Sequence, residues 1–306
     1  MFPTAERILA GDRRALARAA TSVENRTPEA RALLAELFGN TGRALTLGIT
    51  GPPGAGKSTL TDQLARHLRA EGHTVGIIAV DPSSPYTGGA ILGDRIRMQS
   101  HYSDPGVFIR SMATRGNLGG IAEATADLAL LLDAAGFDTI LIETVGVGQD
   151  EVEIASLADV TLVVLVPGMG DDVQAIKAGI MEIADLFVLN KADQPGIEKL
   201  EREVQFLLQL SDTPEGRQPG IVRTVASEGT GIGEVLVRAR EAVRPHSREA
   251  AWRCRLRKML LERLREKLPA DILERAAHLV ATRERDPYTL VSAWVEQIDR
   301  GKPISD

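Results

Sequence analysis

The sequence predicts an α/β fold: a doubly wound, mostly parallel sheet with helical additions at both ends. Seven short β-rich runs carry the prediction: LTLGIT, TVGIIAV, VFIRSM, TILIET, VTLVVLV, LFVLN and IVRTV. Their near-continuous apolar character suits strands buried on both faces rather than a half-exposed sheet. Helical stretches fall between them, at about 57–70, 120–135, 172–183, 197–210 and 231–243, the alternation of a doubly wound domain. The third observation is the Gly-rich segment GPPGAGKST, which follows the first run directly and opens a helix.

Three zones follow along the chain. Residues 1–43 form an N-terminal helical extension. Two helices are expected there, one carrying Ile8, Leu9, Leu16 and Val23 and the next Leu33, Leu34, Leu37 and Phe38 after the turn signal RTPEA. The arginine-rich start has the texture of a transit peptide, but Glu6 and Asp12 interrupt it, so it is taken as folded. Residues 44–245 form the nucleotide-binding domain and 246–306 a C-terminal helical arm. In the arm, Trp252, Leu256, Met259, Leu260 and Leu264 make one amphipathic stripe that needs burial against another helix. Pro269 and Pro287 mark the first turns of two further helices.

Gly51-Pro52-Pro53-Gly54-Ala55-Gly56-Lys57-Ser58-Thr59 matches G-x-x-x-x-G-K-[ST] in the strand–loop–helix setting that motif requires. Glycines let the backbone curl until its N–H groups surround a phosphate beside a helix N-terminus. Lys57 then reaches the β- and γ-phosphates, and the Ser58 hydroxyl ligates Mg²⁺. Asn190-Lys191-Ala192-Asp193 stands directly after LFVLN, where Asp193 can accept from guanine N1–H and the 2-amino group together. Adenine cannot return that pairing, and a site left with unpaired polar groups rejects it by roughly 10⁴-fold. Ala226-Ser227, after IVRTV, is expected to add a base contact.

Three acids complete the candidate site. Asp81 and Glu143 end TVGIIAV and TILIET, and Asp94 lies in the loop SSPYTGGAILGDR. All lie at or beyond carboxyl ends of strands, where such sheets bind ligands, and Mg²⁺ needs only one or two of them. In ETVGVGQDE, Glu143 is read as part of the Mg²⁺ shell and the Gly146 N–H as a γ-phosphate sensor. Val147 stands where many switches place a water-orienting glutamine, and Gln149 is two residues further on. Hydrolysis by the isolated protein is therefore expected to be slow. Arg110 and Arg115, flanking the third run, are read as solvated.

Composition narrows the class. Net charge is −6, so general affinity for nucleic acid is not implied. Residues 244–267 hold nine Lys/Arg against three Glu, a local +6 that leaves −12 for the rest. That basic helix is read as a solvated polar face, not a nucleic-acid site. One cysteine, Cys254, excludes an internal disulfide and a multi-thiolate metal centre. The five histidines show no ligand spacing. No apolar run reaches membrane-spanning length.

Taken together, GPPGAGKST, VDPSSPYTGGAILGDR, ETVGVGQDE, VPGMGDDVQAIK and NKAD resemble one family over nearly the whole chain. It is the MeaB/MMAA type of methylmalonyl-CoA mutase-associated GTPase, once described as ArgK arginine-transport kinases. The resemblance implies a P-loop GTPase of the metallochaperone class that uses Mg²⁺, works in the cytoplasm and forms homodimers through the C-terminal arm. It implies a chaperone for an adenosylcobalamin-dependent acyl-CoA mutase that receives its cofactor from an adenosyltransferase. The positions carried over are Lys57 and Ser58 on phosphate and Mg²⁺, Asp81 and Asp94 in the first switch, and Glu143 in the second. Lys177 falls in the third switch, where it is expected to act in catalysis, and Asp193 on guanine. A nickel-delivery GTPase would need Cys/His clusters, and NKAD argues against a small-molecule P-loop kinase.

Overall fold

The computed structural model describes residues 3–81, 101, 103–113, 118–144, 157–168, 183–210, 218–243, 247–266, 268 and 270–300. They fall into two compact units, 1–245 and 246–306. In the first, β1 (Leu45–Thr50), β2 (Val75–Asp81), β3 (Val107–Ala113), β4 (Thr139–Glu143), β5 (Val160–Leu165), β6 (Leu186–Leu189) and β7 (Gly220–Arg223) form one sheet. Its order is β3-β2-β4-β1-β5-β6-β7, and every neighbouring pair is parallel. The expected runs are thus the strands, shifted by a residue or two at their ends.

Helices cover both faces. On one, α1 (Ala5–Leu9), α2 (Arg13–Glu24), α3 (Pro28–Leu37) and α5 (Leu118–Ala134) share a core with Ile78, Val80, Phe108, Ile140 and Ile142. Further along the sheet, α6 (Ile197–Leu210) packs on Val163, Leu165, Phe187 and Leu189. On the other face, α4 (Lys57–Ala70) and α7 (Ile232–Ala242) bury Leu60, Leu64, Val235 and Leu236 against Leu47, Ile49, Leu141 and Val164. Alternate residues of each strand feed the two cores, as a sheet buried on both sides requires. The expected helix at 172–183 and Arg115 lie outside the described residues.

The N-terminal extension departs from expectation. It holds three helices and a 3₁₀ turn (Phe38–Asn40), not two helices. Gly11 adopts φ +79°, and the Asp12 carboxylate accepts from the Arg14 and Ala15 N–H groups, so one helix ends and the next starts between Ile8 and Leu16. Leu9 and Phe38, assigned to the apolar faces, are exposed. Arg110 is also not solvated: its guanidinium pairs with Glu24 at the end of α2, and Arg26 pairs with Glu123 on α5 at 3.1 Å. Asp133, near the end of α5, accepts from the N–H groups of Gly42, Arg43 and Ala44, tying the segment that leads into β1 to α5.

The second unit contains α8 (Ser247–Glu266), α9 (Ala270–Ala281) and α10 (Pro287–Asp299). Pro287 opens α10 behind an Asp286 cap, as expected, while Pro269 lies outside the described residues. The stripe on α8 is open within the unit: Leu256 and Leu260 are each 60% exposed.

Two outcomes follow. Removing the Asp133 carboxylate strands three N–H groups, so Asp133→Ala should lower the unfolding free energy by about 2–3 kcal/mol, read as a shift in urea midpoint. The second concerns acid. Hydrogen bonds from Arg69 and from the Gly106 N–H hold the Asp104 carboxyl below the ordinary aspartate range. A depressed folded value means the stabilisation is complete above the unfolded pKa, about 3.9, and disappears as pH falls through the folded one. Asp104→Asn should therefore lower melting temperature at neutral pH, and the gap from the unsubstituted protein should close as pH falls below the ordinary aspartate range.

Candidate nucleotide-binding site

The loop between β1 and α4 lies at the carboxyl ends of the central strands, where the chain's windings diverge to either side of the sheet. Its three glycines all take left-handed backbone: Gly51 (φ +137°), Gly54 (φ +78°) and Gly56 (φ +89°). Two are also sterically confined. A Cβ at Gly51 would stand 2.2 Å from the Val164 carbonyl oxygen, and one at Gly56 would stand 2.4 Å from the Asn190 side-chain nitrogen. The curl is therefore built against β5 and the end of β6. Lys57 is buried and donates to the carbonyls of Gly51 (2.7 Å) and Pro52 (3.1 Å), closing the loop over its own ammonium. Gly56 at the N-cap brings no side chain to the start of α4, which leaves that helix end open to an anion. Thr59 points outward and is exposed.

The base-side loop is joined to this one through Asn190. Its Nδ2 donates to the Ala55 carbonyl at 2.9 Å. Its Oδ1 accepts from the Ala226 N–H at 3.0 Å and from the Thr224 hydroxyl at 3.2 Å. Lys191, in left-handed backbone (φ +56°), extends back to the Gly54 carbonyl at 3.1 Å. Three residues beyond Asn190, Asp193 is exposed, as is Ser227. At the expected base contact the Ala226 N–H is bonded to Asn190 Oδ1. Among the described residues no acceptor takes the Ser227 N–H.

On the metal side, Ser58 donates its hydroxyl to Glu143 Oε1, and both residues are buried, Glu143 to 4% exposure. Asp81 ends β2 two positions beyond the residue paired with Glu143, so both acids leave the sheet on neighbouring strands. The structure thus brings together residues 51–59, Glu143, 190–193 and 226–227. Asp94, Gly146, Val147, Gln149 and Lys177 lie outside the described residues. The buried Thr50, Thr144 and Thr224 were not singled out from the sequence: Thr50 ends β1, and Thr144 and Thr224 directly follow β4 and β7.

A family model described as methylmalonyl Co-A mutase-associated GTPase MeaB matches residues 16–279. A Pyrococcus abyssi protein named as a GTPase is 47% identical, over 97% of this chain and 96% of its own. The Escherichia coli GTPase ArgK is 38% identical over 92% of this chain and 87% of its own. A crystal structure described as an LAO/AO transport system kinase superposes with a TM-score of 0.69 at 29% identity, covering 96% of both chains.

The packing of the loop makes its glycines testable. Gly56→Ala should drive Asn190 off both loops, lower the melting temperature and weaken nucleotide binding at least about tenfold. Titration with a fluorescent guanine nucleotide measures it.

Proposed function

The chain belongs to the methylmalonyl-CoA mutase-associated GTPase MeaB family and is a P-loop GTPase, and on that premise we propose that it is a GTP-gated chaperone of an adenosylcobalamin-dependent acyl-CoA mutase. The observation that carries the nucleotide half is the Asn190 side chain, which joins the phosphate loop at Ala55 to the base loop at Ala226. The family's description supports the mutase half. In this reading GTP controls delivery of the cofactor from an adenosyltransferase and rescue of the damaged mutase, in the cytoplasm.

Residues 51–59 surround the phosphates, with Lys57 neutralising charge that grows in the transition state. Asp193 reads the guanine edge, with Ser227 as the neighbouring donor. The Ser58 hydroxyl and the Glu143 carboxylate form a close pair of oxygen donors, the chemistry that suits a hard cation such as Mg²⁺. Ser58 and Glu143, with Asp81 and Asp94, would hold it, and the ion would supply charge neutralisation between the β- and γ-phosphates. Gly146 senses the γ-phosphate, and Lys177 completes the site when the mutase is bound. The open Leu256, Leu260 and Leu261 on α8 support homodimerisation through residues 246–306.

Two measurements test this reading. Phosphate release should be slow for the protein alone and rise at least about tenfold with the mutase present, because Val147 cannot orient water. Equal rates with and without mutase contradict the chaperone reading. Lys177→Ala should remove that gain while leaving GTP binding nearly intact. Asp193→Asn should weaken GTP at least about tenfold and raise acceptance of xanthosine triphosphate; an unchanged preference removes Asp193 from the base site.

A further inference from the structure

β1 and β4 run side by side to the pair Ile49 and Glu143, and the Thr144 N–H still donates to the Ile49 carbonyl at 3.0 Å. Beyond that rung β1 enters the phosphate loop at Gly51. At the point of departure two threonines meet: Thr144 Oγ1 donates to Thr50 Oγ1 at 3.1 Å. Both are buried, Thr50 to 1% and Thr144 to 3% exposure. Among the described residues this is the one side-chain hydrogen bond either hydroxyl makes.

Side chains alternate across a strand. Leu141 belongs to the core under α4, with Leu60 and Leu64, and Glu143 faces the same way, toward Ser58. Ile142 belongs to the opposite core, under α5, and Thr144 and Thr50 share that face. The threonine contact and the carboxylate contact thus sit on opposite sides of one short stretch of backbone.

We propose that Thr50 and Thr144 are a positioning pair for GTP hydrolysis: their hydroxyl contact on one face fixes the pleat that turns the Glu143 carboxylate toward Ser58 on the other. A rotation about residues 143–144 that swung the carboxylate away would also part the two hydroxyls and leave both buried without a partner, which is costly. Neither threonine touches nucleotide or metal; both act through Glu143. Folding does not need the hydroxyls. Backbone hydrogen bonds already join the strands, and two valines of the same shape would pack there at little cost. The inference rests on the assignment of Ser58 and Glu143 to the Mg²⁺ side of the site.

The test uses the full chain and Thr50→Val, Thr144→Val, Thr144→Ser, the double valine variant and Glu143→Gln. Melting temperature is read for each. Affinity for a fluorescent non-hydrolysable GTP analogue is read in excess chelator and across a Mg²⁺ titration. The double valine variant should melt close to wild type and bind within about twofold of it in chelator, yet need about tenfold more Mg²⁺ for half-saturation. Thr144→Ser should keep the wild-type Mg²⁺ response. A double valine variant with unchanged Mg²⁺ response overturns the proposal. So does one whose losses in chelator and in Mg²⁺ are equal, since that is a structural effect only. If Glu143→Gln itself leaves the Mg²⁺ response unmoved, the metal assignment fails. If Glu143→Gln shifts it and the double valine variant does not, only the positioning pair fails.

Discussion

One carboxamide holds the candidate site together. Asn190 gives its N–H to the phosphate loop at Ala55 and accepts from the base loop at Ala226 and Thr224. Its backbone N–H is itself bonded to the Leu165 carbonyl, so the side chain is launched from the paired ends of β5 and β6. The surrounding geometry depends on this. Gly56 must lack a Cβ because Asn190 occupies that space, and Lys191 must take a left-handed backbone at the turn that leads to Asp193. A nucleotide placed here is gripped at both ends by loops that cannot shift independently. Loops joined in advance lower the ordering cost that binding must offset.

The Ser58–Glu143 contact rests on a second set of constraints. Glu143 reaches Ser58 because β4 pairs with β1 and presents its last residue on the α4 face. The opposite face of β4 is covered by α5 and the N-terminal helices; Asp133 ties the end of the extension to α5, and the Glu24–Arg110 ion pair ties α2 to β3. The extension is thus part of the same packed unit as the strands that carry the site. At its junction with the domain, Glu24 and Arg26 of the extension pair with Arg110 on β3 and Glu123 on α5, without which burial of any one would be costly.

Much of this was legible in the sequence, and for definite reasons. GPPGAGKST and NKAD carry their own chemistry and stand directly after apolar runs, so strand ends and site residues were located together. What could not be read is what depends on long-range contact. Nothing in the string NKAD says that Asn190 would take the Ala226 N–H. Arg110 lies in a run that shows no partner, because Glu24 is 86 positions away. In the extension, the apolar spacing from Ile8 to Val23 mimics one helix, and the local signals of Gly11 and Asp12 prevailed over it. Leu9, in the short first helix, and Phe38, in the 3₁₀ turn past the end of α3, are exposed.

The central claim, that the base and phosphate ends of the site are one mechanical unit, is tested most directly through Asn190 itself. The measurement is the affinity of the Asn190→Ala protein for inorganic triphosphate, which has no base, beside its affinity for GTP. If the carboxamide couples the loops, both should weaken at least about tenfold, since the Ala55 carbonyl loses its donor as the Ala226 N–H loses its acceptor. Triphosphate binding at the wild-type level, with only GTP binding reduced, would contradict the account.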